Sequence, residues 1–99
     1  MRPDQPVRNW TVYVQRFRGL SMLEKMMLTT VLGCYRSRAP CRLSISKWSA
    51  LCSCSRRSIF RALLKLEGGH YLKVQRVAGA ISEYQPAPRI VVALKWERR

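Results

Sequence analysis

Acidic side chains are scarce in this chain: Asp4, Glu24, Glu67, Glu83 and Glu97 are its only five, against 19 lysines and arginines, for a formal net charge of +14 over 99 residues. No carboxylate lies between Glu24 and Glu67, a span carrying Lys25, Arg36, Arg38, Arg42, Lys47, Arg56, Arg57, Arg61 and Lys65. Charge of one sign at this density repels itself and calls for a polyanionic partner, with nucleic acid ahead of an anionic membrane surface. Histidine is scarcer still, with His70 alone. Without an acid–base pair or a nucleophile beside a base, catalysis is not expected. Glycines are few, and neither Gly68-Gly69 nor Gly79 matches a phosphate-cradling loop. No apolar run approaches the roughly 18 residues that cross a bilayer, and the opening Met-Arg-Pro-Asp-Gln-Pro lacks the apolar stretch of a secretory signal. These absences lead to the expectation of a cytoplasmic, nucleoid-associated protein with no membrane partner.

The four cysteines, Cys34, Cys41, Cys52 and Cys54, lack the paired C-x2-C spacing typical of structural zinc. In a reducing compartment they are expected to be free thiols that behave as small apolar residues, so neither a metal nor a cofactor is expected. At 47% hydrophobic residues, the chain has material for one small core and no room for a second domain. The expected organisation is a flexible tail over residues 1–9, one domain over 10–96 and a short end over 97–99.

Within that domain the pattern changes several times. Trp10-Thr-Val-Tyr-Val14 is rich in β-branched and aromatic residues, which predicts a short strand. Ser21-Met-Leu-Glu24 has the spacing of a capping box, so a first helix should begin there. Leu23, Met26, Met27, Thr30, Val31 and Cys34 would form its buried stripe before a loop from Arg36 to Arg42. A second helix is expected from Ile45 to Leu51, capped by Ser44, with Ile45, Trp48 and Leu51 or Cys52 inward. Only Ser53-Cys54 then separates it from a third helix, which Ser55 caps and Gly68-Gly69 ends. Helices joined so tightly cross steeply, and the second is left to protrude as in a helix-turn-helix.

The third helix carries the densest chemical signal. Ile59, Ala62, Leu63 and Leu66 recur on one face, leaving Arg56, Arg57, Ser58, Arg61 and Lys65 for phosphates and bases. After it, Tyr71–Val77 and Arg89–Trp96 resemble two strands of a hairpin, with Ala78–Pro88 between them as a loop. Such a hairpin would form a wing from which Lys73, Arg76 and Arg89 touch the DNA backbone.

With these elements in order, the chain resembles the winged helix-turn-helix proteins, most closely the DNA-binding domains of phage and plasmid replication initiators. The resemblance rests on Gly-Leu-Ser-Met-Leu-Glu-Lys-Met-Met-Leu (19–28), Lys-Trp-Ser-Ala-Leu-Cys-Ser-Cys-Ser-Arg-Arg-Ser-Ile-Phe-Arg-Ala-Leu (47–63) and Leu-Glu-Gly-Gly-His-Tyr-Leu-Lys-Val-Gln-Arg (66–76). It implies an α+β winged helix-turn-helix of three helices, a C-terminal β-hairpin wing and a short N-terminal strand. It also implies that the segment from Ser55 to Lys65 enters the major groove of double-stranded DNA. The expected DNA-binding set is Ser55, Arg56, Arg57, Ser58, Arg61 and Lys65, with Lys47, Lys73, Arg76 and Arg89 around it. The chain departs from the family pattern at Ser49, where alanine is usual, and at Ser53, where glycine is usual. Recognition of origin repeats, as a homodimer or in tandem and together with replication proteins, is the implied role. The alternatives are a small transcriptional repressor on an operator and, from a different class, a basic interaction module for RNA or an acidic protein.

Overall fold

Three serines start three helices of this protein, each from an extended backbone with its hydroxyl accepting a hydrogen bond from an otherwise unpaired N–H. They are Ser21 before α1 (Met22–Arg36), Ser44 before α2 (Ile45–Cys52) and Ser55 before α3 (Arg56–Gly68). At Ser21 the full capping box forms: the Ser21 N–H donates to Glu24 Oε1 at 2.6 Å, and the Glu24 N–H to Ser21 Oγ at 3.2 Å. The computed structural model describes Val14 and residues 17–79 and 81–91.

The helix ends follow a different logic. α1 and α3 both close with paired backbone bonds of the Schellman type, Ala39 N–H to Cys34 O and Arg38 N–H to Tyr35 O at one, Tyr71 N–H to Leu66 O and His70 N–H to Glu67 O at the other. In α2, Cys54 N–H reaches back to Ser49 O. The left-handed residue that this chain reversal needs is Arg38 (φ 58°), Ser53 (φ 52°) and His70 (φ 60°), none of them glycine. Gly68-Gly69 was expected to supply that conformation, but Gly69 has φ −85° and lies one residue early. Gly69 serves close packing instead, because a Cβ there would sit 2.8 Å from the Tyr71 ring.

Ser53 lies in the turn of the helix-turn-helix, and its backbone explains why glycine suits that place. A left-handed L-residue costs about 1–2 kcal/mol, partly offset by the roughly 0.5–1 kcal/mol of extra chain entropy that a glycine loses on folding. Ser53→Gly is therefore expected to stabilise the protein modestly, raising the thermal midpoint by about 2–8 °C. A lowered midpoint in calorimetry would show that the Ser53 side chain contributes more than its backbone costs.

The sheet contains the largest departures from expectation. β1 (Cys41–Ser44), β2 (Leu72–Ala78) and β3 (Ile81–Pro86) form an antiparallel sheet in the order β1-β3-β2. The central strand, β3, occupies the segment expected to be a loop, and β1 occupies the end of another. The expected strand from Arg89 begins instead as a helical turn over 88–91, and its remainder lies outside the described residues. Val14, the last residue of the expected N-terminal strand, is helical, and residues 10–13 lie outside the described residues. β2 pairs with β3 from Leu72↔Pro86 to Arg76↔Ser82, with an irregularity before Ala78↔Ile81, and the chain begins to turn back at Gly79 (φ 55°). The hairpin wing is real, but it is drawn from 72–86.

Helices and sheet enclose one core in which Trp48, Met27, Leu28, Leu32, Ile59 and Leu66 are fully buried. The inward face of α1 runs through Met27, Leu28, Val31 and Leu32, while Met26, expected inside, is 47% exposed. Tyr84 of β3 meets the Trp48 indole edge-to-face at 5.6 Å, joining the sheet to α2. The order α1-β1-α2-α3-β2-β3 around this core is the winged helix-turn-helix fold.

Candidate nucleic-acid interface

α3 is held by Ile59, Ala62, Leu63 and Leu66, all buried. With about 100° of rotation per residue, the opposite ridge carries Arg57, Arg61 and Leu64, with Phe60 and Arg56 on the flank towards the wing. Arg56, Arg57 and Arg61 are all exposed, and among the described residues none of them forms an ion pair. Ser55 and Ser58 hold each other at the helix start, with Oγ to Oγ at 3.0 Å and Ser58 N–H to Ser55 Oγ at 3.1 Å. The first turn of α3 therefore joins free backbone donors, the positive end of the helix dipole and two arginines.

The turn before it is braced from inside. Ser49, half-buried, donates its hydroxyl to the Cys54 carbonyl, a bond that the alanine usual at this place does not make. Lys47 stands on the exposed face of α2. On the far side of α3, a groove is lined by Phe60, Leu64, Glu67, Val74, Arg76 and Gly79 among others. Arg76 thus belongs to the sheet face that looks towards α3.

The other predicted cations are placed differently. Lys65 donates to the Gly19 carbonyl at 2.6 Å and lies 3.3 Å from Glu24 Oε1, fastening α3 to the start of α1. Lys73 alternates with Arg76 along β2 and projects from the opposite face of the sheet, where Arg42 and Glu83 pair at 3.1 Å. Arg89 is not on a strand. From the 88–91 turn its Nε donates to His70 O at 3.0 Å and its Nη2 to Gly69 O at 2.9 Å, with the guanidinium 4.5 Å from the Tyr71 ring centroid. It caps the negative end of α3. Arg89→Ala is expected to cost about 1–2 kcal/mol of stability through these contacts, and to leave nucleic-acid affinity unchanged once the variant is folded. Chemical denaturation and a binding titration on the same sample check both halves.

The cysteines carry no comparable signal. Cys41 is buried and its thiol is pushed up to about 12 by burial and by the neighbouring Cys34, while burial beside Cys54 raises Cys52. Neither is a thiolate at neutral pH. Among the described residues no group of three or more metal-binding side chains converges, and no helix is long and apolar enough to cross a membrane. The sequence pattern leaves Phe60 and Leu64 off the buried stripe of α3 as exposed apolar surface, and they are 52% and 54% exposed. Leu64 falls opposite that stripe and Phe60 on the flank towards the wing.

No protein-family model matches the chain, and no curated protein matches it in sequence. Two solved structures resemble its fold. One is the transcriptional regulator BldR from Sulfolobus solfataricus, at 15% identity and a TM-score of 0.59, covering 92% of this chain and 62% of that one. The other is the adhesin competence repressor AdcR from Streptococcus pyogenes, at 12% identity and a TM-score of 0.57, covering 92% and 64%. The chain thus spans less than two thirds of either neighbour. At this identity the likeness is one of fold, and it agrees with the winged-helix topology above.

Proposed function

We propose that this chain binds duplex DNA at a preferred sequence, with α3 in the major groove and the β2–β3 hairpin beside it, in the control of transcription. The observation that carries the reading is the α3 ridge: Arg57 and Arg61 stand one turn apart, exposed and without an acidic partner among the described residues, on a helix whose other face is locked into the core. An α-helix about 10–12 Å across fits a major groove about 12 Å wide, and arginine matches guanine O6 and N7 bidentately. In this reading Arg57 and Arg61 meet base edges. Arg56, Ser55 and Ser58 at the helix start, Lys47 of α2 and Arg76 of the wing take phosphates. Lys65, Lys73 and Arg89 stand outside the contact set, because their partners or sheet face turn them away from this surface.

Transcriptional control is favoured over replication because both structural neighbours bear the names of regulators, one of them a repressor. The replication-initiator reading, with replication proteins as partners, keeps only the sequence resemblance that suggested it. A single recognition helix reads few base pairs, so binding as a dimer or in tandem on repeated half-sites completes the proposal. Selection of duplexes from a random library by the purified protein tests it. The selected duplex should bind at least about 100-fold more tightly than its scrambled counterpart, and light scattering should find two copies on it. Equal affinity for both duplexes would refute sequence recognition.

A further inference from the structure

We propose that Phe60 and Leu64 read thymine methyl groups, so that the target of this protein interleaves T·A pairs with the guanines taken by Arg57 and Arg61. This rests on the duplex-DNA reading and extends it to base identity. The two apolar side chains lie one turn apart, 52% and 54% exposed, Leu64 on the outward ridge of α3 with Arg57 and Arg61 and Phe60 beside it on the flank towards the wing. Along the axis, four residues of helix advance about 6 Å, close to two base-pair steps of about 3.4 Å. A pair of apolar contacts and a pair of arginine contacts at that spacing cover adjoining base pairs on one groove floor.

The surroundings decide what covers these side chains. Arg56, Arg57 and Arg61 flank them on α3, and Arg76 faces them from the wing across a shared groove. A second copy of a chain with net charge +14 is repelled from such a surface. The occupant must bring negative charge at the edges and an apolar feature at the centre. The major groove offers both, as phosphates on its two walls and the thymine C5-methyl on its floor.

The test uses the whole 99-residue chain and its selected duplex. Each thymine under α3 is replaced in turn by deoxyuridine, which removes the methyl and keeps the hydrogen-bonding edge. Wild-type protein is expected to lose about fourfold in affinity at each contacted thymine, the fold-change that burial of one methyl group yields. Phe60→Ala and Leu64→Ala should each abolish the loss at one position, binding thymine and uracil duplexes alike there, while Arg57→Ala retains it. Equal wild-type affinity for thymine and uracil duplexes overturns the inference, and needs no variant to fold. If Phe60→Ala and Leu64→Ala both bind the thymine and uracil duplexes just as the wild type does, neither side chain touches the DNA and the inference is overturned. A uracil penalty that persists in both alanine variants overturns the assignment to these residues. Failure of the selected duplex to outcompete scrambled DNA appears before any uracil is introduced, and refutes the duplex-DNA reading itself.

Discussion

Arg57→Ala and Arg61→Ala are each expected to cost about 1–3 kcal/mol of discrimination between the selected and scrambled duplexes, equivalent to roughly 5- to 150-fold. The two arginines occupy neighbouring turns of one ridge, so their effects will not simply multiply. The double variant should nonetheless bind the two duplexes almost alike. Arg76→Ala should behave differently, since a wing cation on a phosphate adds affinity for every sequence and no preference among them. Its affinity for both duplexes should fall by similar factors. Lys73→Ala, on the opposite sheet face, should change neither. Competition titrations with labelled selected duplex separate these cases. Loss of preference confined to Arg76→Ala would reverse the roles of helix and wing.

The parts of the fold legible in the sequence are those set by local chemistry. Ser21, Ser44 and Ser55 announce the helix starts because an N-cap is a contact between a side chain and a backbone group three residues away. The helix ends were less legible because Arg38, Ser53 and His70 take the left-handed conformation, and no local feature distinguishes them from residues that do not. The sheet was least legible. β1 has four residues and is a strand through its pairing with β3, some 40 positions later, a contact that no window of sequence contains. β3 ends in Pro86 and follows Gly79, and that punctuation suggested a loop. Yet Pro86 is the last residue of the strand, where its missing N–H interrupts little of the ladder. Conversely, the β-branched run after Arg89 has strand propensity, but Ile90 and Val91 donate back to Ala87 O and close a helical turn.

The site divides in the same way. Arg57, Arg61 and Lys65 are equivalent in a sequence, three cations on the polar side of one amphipathic helix. Rotation around α3 puts Arg57 and Arg61 on the outer ridge and turns Lys65 towards Glu24 and the Gly19 carbonyl. Arg89 is more deceptive, because a basic residue beside a β-branched run suggests a wing contact. Its role as a cap on α3 depends on the chain returning to the end of that helix 19 residues after His70. Helical periodicity can separate a buried face from an exposed one; which exposed cations already have partners is a tertiary fact.

That distinction sets the salt dependence. Three cations proposed at phosphates, Lys47, Arg56 and Arg76, and the two arginines proposed at bases displace between three and five counterions when the duplex binds. The logarithm of the association constant should then fall against the logarithm of salt with a slope of about −2.7 to −4.5. Raising salt from about 50 to 200 mM would therefore weaken binding by roughly 40- to 500-fold. A net charge of +14 would suggest a steeper dependence if every cation reached the DNA. It should not, because Lys65, Arg42 and Arg89 are held within the protein and Lys73 projects from the far face of the sheet. Arg76→Ala is expected to reduce the slope by about one unit, whereas Arg42→Ala and Lys73→Ala should leave it unchanged. Fluorescence anisotropy over a salt series reads each slope directly. A slope near zero would exclude phosphate neutralisation altogether, and a slope that drops as much for Lys73→Ala as for Arg76→Ala would mean that the DNA also wraps onto the outer face of the sheet.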